Sequence, residues 1–197
     1  MANCVGIDEV GRGCWAGPLV AGAVILPDNF DTTTIRPWKL DDSKKLSRRQ
    51  REAADLGIRE VAVSIGIGWV SPTEIDDYGL TWAVETAMGR ALAEVKPVYS
   101  EIIIDGNVKY LEKNRMIKHM LKHMVHADAL VPCVSAASIV AKVARDNYMS
   151  TLSEKYAGYG FERHVGYGTA AHIVALKNLG VSDIHRRSFK PIKALLE

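Results

Sequence analysis

The sequence lacks the features that would place the protein outside the ordinary class of globular domains. It has only three cysteines among 197 residues, scattered at positions 4, 14 and 133, so neither a disulfide framework nor a C-x-x-C zinc motif is present. No apolar run approaches the roughly 20 residues of a membrane-spanning helix. The first residues also lack the basic and apolar pattern of a signal peptide. We therefore expect a cytoplasmic protein without membrane association.

The chain also lacks a large excess of charge of either sign. Its formal net charge is +2, with 24% charged and 48% hydrophobic residues, which is typical of a folded domain and excludes wholesale disorder. The charge is unevenly distributed, however. Residues 163–197 hold six Lys or Arg and only two acids, so the C-terminal end is basic and the remainder slightly acidic. This distribution favours an anionic partner.

The order of apolar patterns predicts an α/β domain. Apolar runs predict strands over 3–8, 18–27, 61–70 and 101–106, and amphipathic periodicity predicts helices over 46–57, 71–95 and 135–149. Ser47 and Ser71 are expected to cap the first two helices, and Gly57 to end the first. The segment 118–128 is ambiguous between helix and strand. Because no internal repeat or low-complexity segment is present, we expect one domain over 1–197.

The stretch GRGCWA at residues 11–16 matches the G-x-G-x-x-G/A pattern of dinucleotide-binding loops. That pattern requires the glycines to open a helix, whose N-terminus then meets the pyrophosphate. Here Gly17 and Pro18 follow, and after them a second apolar, β-branched run. A strand–turn–strand hairpin is the better interpretation, and we expect no NAD affinity.

Four acids stand where a carboxylate is costly unless it is paired or binds a metal ion. Asp8 and Asp105 each end an apolar strand. Glu9 precedes the glycines, and Asp128 precedes the third helix. Adjacent strand residues face opposite sides, so Asp8 and Glu9 share a site only if the strand twists or ends there. Taken singly, Asp105 and Asp128 are better explained as turn and helix-flanking residues, but the four acids together favour a site for Mg²⁺ or Mn²⁺.

A second candidate metal motif is weaker. His119 and His123 have the i, i+4 spacing of a zinc helix, and His126 lies nearby, but Met120 stands where the zinc motif has its glutamate. We expect no metal site there, because in a strand that spacing would lose its meaning.

Seven blocks of the sequence resemble bacterial ribonuclease HII, and they occur in the order of that family. They are GIDEVGRG (6–13), AGPLVAGAVIL (16–26), DSKKLS (42–47), IIDGN (103–107), SAASIVAKVARD (135–146), GYGT (166–169) and IHRRSF (184–189). The combination of DEVGRG with DSKKLS is highly specific. Two places depart from the family pattern: Cys14-Trp15 replaces a small or aliphatic pair, and HAD at 126–128 stands where a glycine more often precedes the aspartate.

The resemblance implies a fold and an activity. The fold would be the ribonuclease H-like one, a central mixed five-stranded sheet flanked by helices, with a C-terminal helical extension over about 160–197 that binds substrate. The activity would be endonucleolytic hydrolysis of RNA in RNA–DNA hybrids and cleavage 5′ of single ribonucleotides in duplex DNA, leaving 3′-hydroxyl and 5′-phosphate ends. The implied partners are these nucleic acids, and we expect a monomer.

The resemblance also implies which residues act. The family's four catalytic, metal-binding acids match Asp8, Glu9, Asp105 and Asp128, which would hold two Mg²⁺ or Mn²⁺ ions during catalysis. The expected substrate-binding residues are a turn that reads ribose 2′-hydroxyls (Gly11, Arg12, Gly13), a loop near the nucleic-acid backbone (Ser43, Lys44, Lys45) and a tyrosine that packs on the next sugar (Tyr167). Arg186 and Arg187 are further expected phosphate contacts. Arg145 and Asp146 are equally consistent with a supporting ion pair and with substrate contact.

Two other functions remain open from the sequence. A different ribonuclease H-like nuclease, such as a junction resolvase or proofreading exonuclease, would share the acids but lack the glycine turn and Tyr167 as readers of a 2′-hydroxyl. A non-catalytic hybrid-binding protein would have no use for four carboxylates beside a polyanion, because carboxylates repel phosphate.

Overall fold

One mixed sheet organises the chain, and the computed structural model describes residues 4–28, 30–31, 46–96 and 99–197. The predicted loop of Ser43, Lys44 and Lys45 lies outside the described residues. The strands are Cys4–Val10 (β1), Leu19–Ile25 (β2), Ser64–Val70 (β3), Glu101–Asp105 (β4) and Leu121–Met124 (β5). The helices are Arg48–Val61 (α1), Pro72–Tyr78 (α2), Leu80–Glu94 (α3), Ala127–Leu130 (α4), Pro132–Lys155 (α5), Phe161–His164 (α6), Ala170–Leu179 (α7) and Lys190–Lys193 (α8), with a 3₁₀ turn at Lys118–Met120.

The sheet has the strand order β3-β2-β1-β4-β5, which confirms the expected mixed five-stranded architecture. β1 pairs antiparallel with β2 and parallel with β4. The parallel register runs from Cys4 opposite Glu101 to Ile7 opposite Ile104. Asp8 and Asp105 are therefore the next residues along two neighbouring parallel strands, so the topology brings their backbones to the same edge of the sheet.

Helices cover both faces of the sheet and bury it. Helix α3 packs on one face, where Val84, Met88 and Ile104 belong to the same buried cluster. Helices α1 and α5 pack on the other face through a second cluster that includes Ile58 and Ile139. All seven residues of β2 are buried, because that strand is covered on both sides. This explains why it reads as a continuous apolar run rather than an alternating one.

The C-terminal helices form a smaller layer on the end of α5. Phe161, Val165 and Leu176 pack against Met149 of α5 and Ala16 of the β1–β2 turn. This layer brings the segment after α6 to the glycine turn. None of the helices within the described residues is long and apolar enough to cross a membrane.

Several predicted boundaries are corrected by the structure. Helix α1 continues past Gly57 to Val61, because Ile58 belongs to its buried face. The helix predicted over 71–95 is divided at Gly79 into α2 and α3. The ambiguous segment 118–128 contains the 3₁₀ turn, β5 and the start of α4. The capping roles predicted for Ser47 and Ser71 are confirmed, since each accepts a hydrogen bond from the backbone N–H three residues later.

Candidate active site

A cavity of about 240 Å³ opens where β1 and β4 separate. We call it the acidic cavity. Its lining consists of Asp8, Glu9, Val10, Gly11, Arg12, Gly13, Asp105, Ser138, Lys142 and Tyr167. Three of the four predicted acids, the whole glycine turn and the predicted tyrosine therefore share one cavity, although they are distant in sequence. Asp128, the fourth acid, is buried beside it at the start of α4.

Asp8 is the most deeply buried acid of the cavity wall, with 7% of its surface exposed. The Glu9 N–H donates to its Oδ1 at 2.8 Å, and the Ser138 hydroxyl also donates to it. Burial and, after it, the nearby charges of Glu9 and Asp105 together raise the pKa of Asp8 to about 7, against the hydrogen bond from Ser138. The ionised form of Asp8 is therefore disfavoured in this cavity, and a bound cation would stabilise it.

Glu9 reaches the same cavity although it is adjacent to Asp8 on a strand. The expectation that Asp8 ends its strand is wrong, since β1 continues through Val10 and pairs with β2 along that length. Both acids nevertheless line the cavity, because pairing with β4 stops at Ile7 and leaves that side of β1 open. An Arg12 guanidinium nitrogen lies 3.8 Å from Glu9 Oε1 at the partly exposed rim, where such a pair contributes little stability.

Asp105 connects the cavity to Asp128 through the backbone. Its Oδ1 accepts hydrogen bonds from the N–H groups of Ala127 at 2.8 Å and Asp128 at 3.5 Å, so it caps the short helix α4. His126, before that helix, has a φ of 60°, a left-handed conformation that favours glycine. The segment that departs from the family pattern, residues 126–128, thus includes a histidine that adopts this left-handed backbone conformation. Asp128 itself is 5% exposed.

The acids fit a hard divalent cation by donor chemistry and by charge. Carboxylate oxygens are the ligands that Mg²⁺ and Mn²⁺ prefer. Burial and the charges of Glu9 and Asp105 raise the pKa of Asp8, and a bound cation would offset both effects. Within the described parts of the chain, no three His, Cys, Asp or Glu side chains are already gathered as a metal-binding group. Asp105 uses one carboxylate oxygen to cap α4. The residues present therefore suit the ion, but they do not form a finished coordination shell.

The glycine turn is constrained from the inside and open on the outside. Gly11 has a φ of 88°, and a Cβ at this position would lie 2.4 Å from Nε of Arg145. Gly13 is exposed, and a Cβ there would meet nothing within 4 Å among the described residues. Gly11 is thus required by the fold of the turn, whereas Gly13 leaves the backbone accessible from the solvent side.

Two buried arginines hold this turn in place. Arg145 donates from Nε to the Pro18 carbonyl at 2.8 Å, and its other two nitrogens donate to Val165 and Ala16 at 2.8 and 3.1 Å. Arg186 donates to the carbonyls of Gly17 and Arg12 at 3.0 and 3.2 Å. Both side chains are 0% exposed.

These contacts correct the expectations for Arg186 and for the Arg145–Asp146 pair. Arg186 is not a phosphate contact, because its guanidinium is buried beneath the turn that it supports. Arg145 binds carbonyl oxygens, while Asp146 pairs with Lys142 and Arg51. Arg145 therefore does not form the predicted ion pair with Asp146. Its buried guanidinium is also not available for a contact with substrate. Arg187, by contrast, is exposed, and its backbone N–H donates to Asp76 at 2.8 Å.

Tyr167 lies in a loop that is fastened to the glycine turn. The carbonyl of Gly166 accepts hydrogen bonds from the N–H groups of Trp15 and Ala16 at 2.8 and 3.3 Å, and the Trp15 ring lies against Gly168. The Tyr167 ring is 39% exposed, and the Lys142 ammonium lies 5.6 Å from its centre. Burial raises the pKa of the Tyr167 hydroxyl to about 12, so the ring is neutral at physiological pH. Trp15, which the sequence left without a role, therefore joins the two loops.

A chain of hydrogen bonds between histidines ends on the backbone of Tyr167. His172 Nδ1 lies 3.0 Å from the Tyr167 carbonyl, so this nitrogen carries the proton and Nε2 is an acceptor. His185 Nε2 lies 3.0 Å from that acceptor and donates to it, while its Nδ1 accepts from the Ser182 hydroxyl at 2.7 Å. Both histidines are buried, and burial lowers the pKa of each to about 4. Each ring nitrogen in this chain has a complementary hydrogen-bond partner only when both imidazole rings are neutral.

Sequence reasoning missed most of this supporting set. Arg145 and Ser138 carry a faint signal, as polar residues within the mostly apolar stretch SAASIVAKVARD, whereas the pairing of His172 with His185 depends on a tertiary contact. The histidines of the candidate zinc motif lie in a different part of the fold. His119 is exposed in the 3₁₀ turn, and His123 lies in β5, so their helical spacing has no geometric meaning.

Comparison with known proteins agrees with this architecture. The family model described as Ribonuclease HII matches residues 5–192. Ribonuclease HII of Halorhodospira halophila is 46% identical over 195 residues, which cover 98% of this chain and 94% of that protein. The crystal structure of ribonuclease H2 from Pyrococcus horikoshii superposes with a TM-score of 0.81 at 25% identity, covering 98% of this chain and 96% of that one. Bst ribonuclease HIII, solved in complex with Mn²⁺, shares the fold with a TM-score of 0.72 at 18% identity, covering 99% and 69%. The chain belongs to the ribonuclease HII family and is a hydrolase of the nuclease class.

Proposed function

We propose that this enzyme hydrolyses the RNA strand of RNA–DNA hybrids and cuts 5′ of single ribonucleotides embedded in duplex DNA. The observation that carries the proposal is the acidic cavity, where Asp8, Glu9 and Asp105 face the glycine turn and Tyr167. The acids proposed for phosphodiester cleavage and the residues proposed to recognise the ribose therefore line the same cavity. Since all these residues come from one chain, we also propose that a monomer is sufficient for the reaction.

Four acids would hold the divalent ions in this proposal: Asp8, Glu9, Asp105 and Asp128. When two such ions are bound, they supply an activated water and stabilise the charge on the attacking and leaving oxygens. The protein contributes a set of carboxylates in which Asp8 is buried and close to the charges of Glu9 and Asp105. Attack on the phosphate at the 5′ side of the ribonucleotide leaves a 3′-hydroxyl and a 5′-phosphate. The oxygen donors suit Mg²⁺ or Mn²⁺, and the related Bst enzyme was solved with Mn²⁺.

Recognition of RNA rests on the 2′-hydroxyl, which is the group that distinguishes RNA from DNA at a given nucleotide. Backbone N–H and C=O groups of Gly11, Arg12 and Gly13 would bind this hydroxyl, and the open space around Gly13 permits a close approach. The Tyr167 ring would then pack on the sugar that follows, where a deoxyribose fits better than a ribose. Arg186 holds the Arg12 carbonyl within this turn, and Arg145 holds the Pro18 carbonyl that follows it.

Contacts with the phosphate backbone would position the substrate without reading its sequence. Arg187 is exposed, and Lys142 lines the cavity. The segment Ser43, Lys44 and Lys45 is proposed to contact the backbone as well. We propose that 1–197 is a single catalytic domain in which about 160–197 forms the substrate-binding extension. The basic balance of residues 163–197 supports this role.

Three labelled duplexes of the same sequence test the proposal: an RNA–DNA hybrid, a DNA duplex with one embedded ribonucleotide, and an all-DNA duplex, each with Mg²⁺ and with Mn²⁺. We expect cleavage of the first two and none of the third. Mapping of the ends should give a single cut 5′ of the ribonucleotide, with a 3′-hydroxyl and a 5′-phosphate. Equal cleavage of the all-DNA duplex would instead favour a resolvase or exonuclease.

A further inference from the structure

Two cysteines that are distant in sequence meet near the start of β1, at the opposite end of that strand from the acidic cavity. Cys4 begins β1, and Cys133 is the second residue of α5. Their Sγ atoms are 3.3 Å apart, and both are free thiols. This contact joins residues separated by 129 positions. The third cysteine, Cys14, is buried at the glycine turn, away from this pair.

The backbone around this pair leaves little room for adjustment. Gly6, two residues after Cys4, faces the first turn of α5 so closely that a Cβ on it would lie 2.2 Å from the Cys133 carbonyl carbon. Strand and helix are therefore already in contact at the level of the two sulfurs. The sulfurs are 3.3 Å apart, so they must approach by about 1 Å to reach the length of a disulfide bond.

The thiol pair is also open to small molecules. A cavity of about 310 Å³ is lined by both cysteines together with apolar groups such as Leu26 and Phe30, and its lining shares no residue with the acidic cavity. The two thiols are not equivalent. A hydrogen bond joins the two thiols, and either sulfur can be its donor; the contact lowers the pKa of Cys4 and raises that of Cys133. Cys4 is half-buried whereas Cys133 is buried, so Cys4 is the more accessible nucleophile of the pair.

We propose that Cys4 and Cys133 form a dithiol site that reacts with small hydroperoxides and closes a reversible disulfide between β1 and α5. In the first step the Cys4 thiolate attacks the terminal oxygen of the hydroperoxide, an S–O bond forms, the O–O bond breaks, and the alkoxide (or hydroxide, from hydrogen peroxide) leaves as an alcohol or water with the proton that the Cys4 thiol gave up. In the second step the Cys133 sulfur attacks the resulting Cys4 sulfenic acid, and water leaves with the Cys133 proton. The two thiols lose two electrons together, and the peroxide gains them.

The bond would restrain the fold without rearranging it. β1 carries Asp8, and α5 carries Ser138, which donates to it. Because β1 and α5 are already packed at the sulfurs, the cross-link should keep this geometry and the nuclease activity while it constrains the unfolded chain. From the length of the closed loop we expect the melting temperature to rise by roughly 10–20 °C.

The test uses wild-type protein treated with equimolar hydrogen peroxide, followed by alkylation, intact mass measurement and peptide mapping. We expect the free thiols to fall from three to one, a Cys4–Cys133 peptide, the higher melting temperature, and full reversal by dithiothreitol. The matched variants are Cys4→Ser and Cys133→Ser. The first should consume no peroxide at this site, and the second should stop at a Cys4 sulfenic acid that dimedone traps.

Several results would overturn the proposal. Three thiols that remain alkylatable would show that the pair does not react, and a disulfide between two molecules would show that the pairing is not internal. Peroxide consumption by Cys4→Ser equal to that of wild type would place the nucleophile elsewhere. A cross-linked protein that loses its nuclease activity would contradict the claim that the bond preserves the geometry of β1 and α5.

Discussion

The two sides of the acidic cavity are built in different ways. On one side, Asp8, Glu9 and Asp105 project from regular strands, and their positions follow from strand pairing alone. On the other side, the glycine turn and the Tyr167 loop have little regular structure. Buried side chains hold this side, namely two arginines and two histidines that donate or relay hydrogen bonds to backbone carbonyls.

The difference shows where each side is vulnerable. The strand side is secured by many backbone hydrogen bonds, so its weak point is charge, concentrated at Asp8. The loop side is held by hydrogen bonds from buried side chains to backbone carbonyls, so its weak point is any buried carbonyl that loses its donor. Substitutions on the strand side should therefore affect the chemistry more than the stability. Substitutions on the loop side should reduce the stability, or the choice of substrate, more than the chemistry.

The largest expected effect is on the strand side, from Asp8→Asn. Removal of this carboxylate should lower the cleavage rate at least about a thousandfold, which corresponds to about 4 kcal/mol of transition-state stabilisation. The free energy of unfolding in chelator should not fall, because the change relieves repulsion with Glu9 and Asp105. Single-turnover cleavage and urea titration measure the two quantities. Asp77→Asn, an exposed acid of α2, is the matched control, and equal cleavage by both variants would remove Asp8 from the mechanism.

Arg145→Met should have the largest effect on stability. It leaves the carbonyls of Ala16, Pro18 and Val165 buried without their donor, so we expect a loss of about 3–5 kcal/mol in the free energy of unfolding. Urea denaturation at neutral pH measures this loss. Arg187→Met alters an exposed arginine and should change stability by no more than about 0.5 kcal/mol. Equal losses in the two variants would contradict the bracing role of Arg145.

The histidine chain predicts a loss of stability in mild acid. The folded-state pKa values of His172 and His185 are lowered to about 4, whereas the unfolded value is near 6.5. Between these values the unfolded chain binds more protons than the folded one, so stability falls as the pH falls from about 6.5 towards 4. Because the two rings are in contact, we expect about 3 kcal/mol for the pair rather than twice the effect of one.

Urea titrations at a series of pH values test this expectation against two variants. His172→Asn should weaken the acid sensitivity, because it removes one buried imidazole while offering a short amide donor towards Tyr167. His119→Gln alters an exposed histidine of the 3₁₀ turn and should leave the pH profile unchanged. A wild-type stability that is flat from pH 7 to pH 4.5 would contradict the neutral, buried state of the chain.

The smallest effect should come from Tyr167 and should depend on the substrate. Tyr167→Ala should reduce cleavage at a single embedded ribonucleotide by roughly tenfold, and cleavage of a long hybrid by less, since packing on one sugar contributes about 1–2 kcal/mol. Tyr167→Phe keeps the ring and should remain near wild type. Steady-state rates on both substrates measure the change. If Ala and Phe variants lose the same activity, the hydroxyl rather than the ring surface would be responsible.

Sequence reasoning reached the strand side more fully than the loop side, for a physical reason. Strands with buried faces have a readable period, and an acid within one, such as Asp8 or Asp105, is conspicuous. The parallel pairing of β1 and β4 then brings the two acids together. What the pattern missed was local: β1 runs on through Val10, and Gly57 lies within α1 rather than at its end.

The loop side depends on contacts between residues that are distant in sequence, which the hydrophobic periodicity of the sequence does not predict. Arg186 is predicted from the sequence as a phosphate contact, yet it lies beneath the turn, where the Gly17 carbonyl accepts its hydrogen bond. The contact of His172 with His185 appears only after the C-terminal helices have packed on α5. Likewise, Gly11 is required because Arg145 fills the space where its side chain would lie. Such roles follow from three-dimensional packing, so they became visible only in the structure.

The division between a side that performs the chemistry and a side that holds the substrate is tested most directly by Asp105→Asn. The asparagine Oδ1 still caps α4 as Asp105 Oδ1 does, so the local fold should be retained. Cleavage rate and affinity are to be measured on one duplex with a single embedded ribonucleotide in Mg²⁺. We predict that cleavage falls at least about a thousandfold while the dissociation constant changes by less than about threefold. Cleavage at the wild-type rate, or a loss of binding as large as the loss of cleavage, would contradict the account.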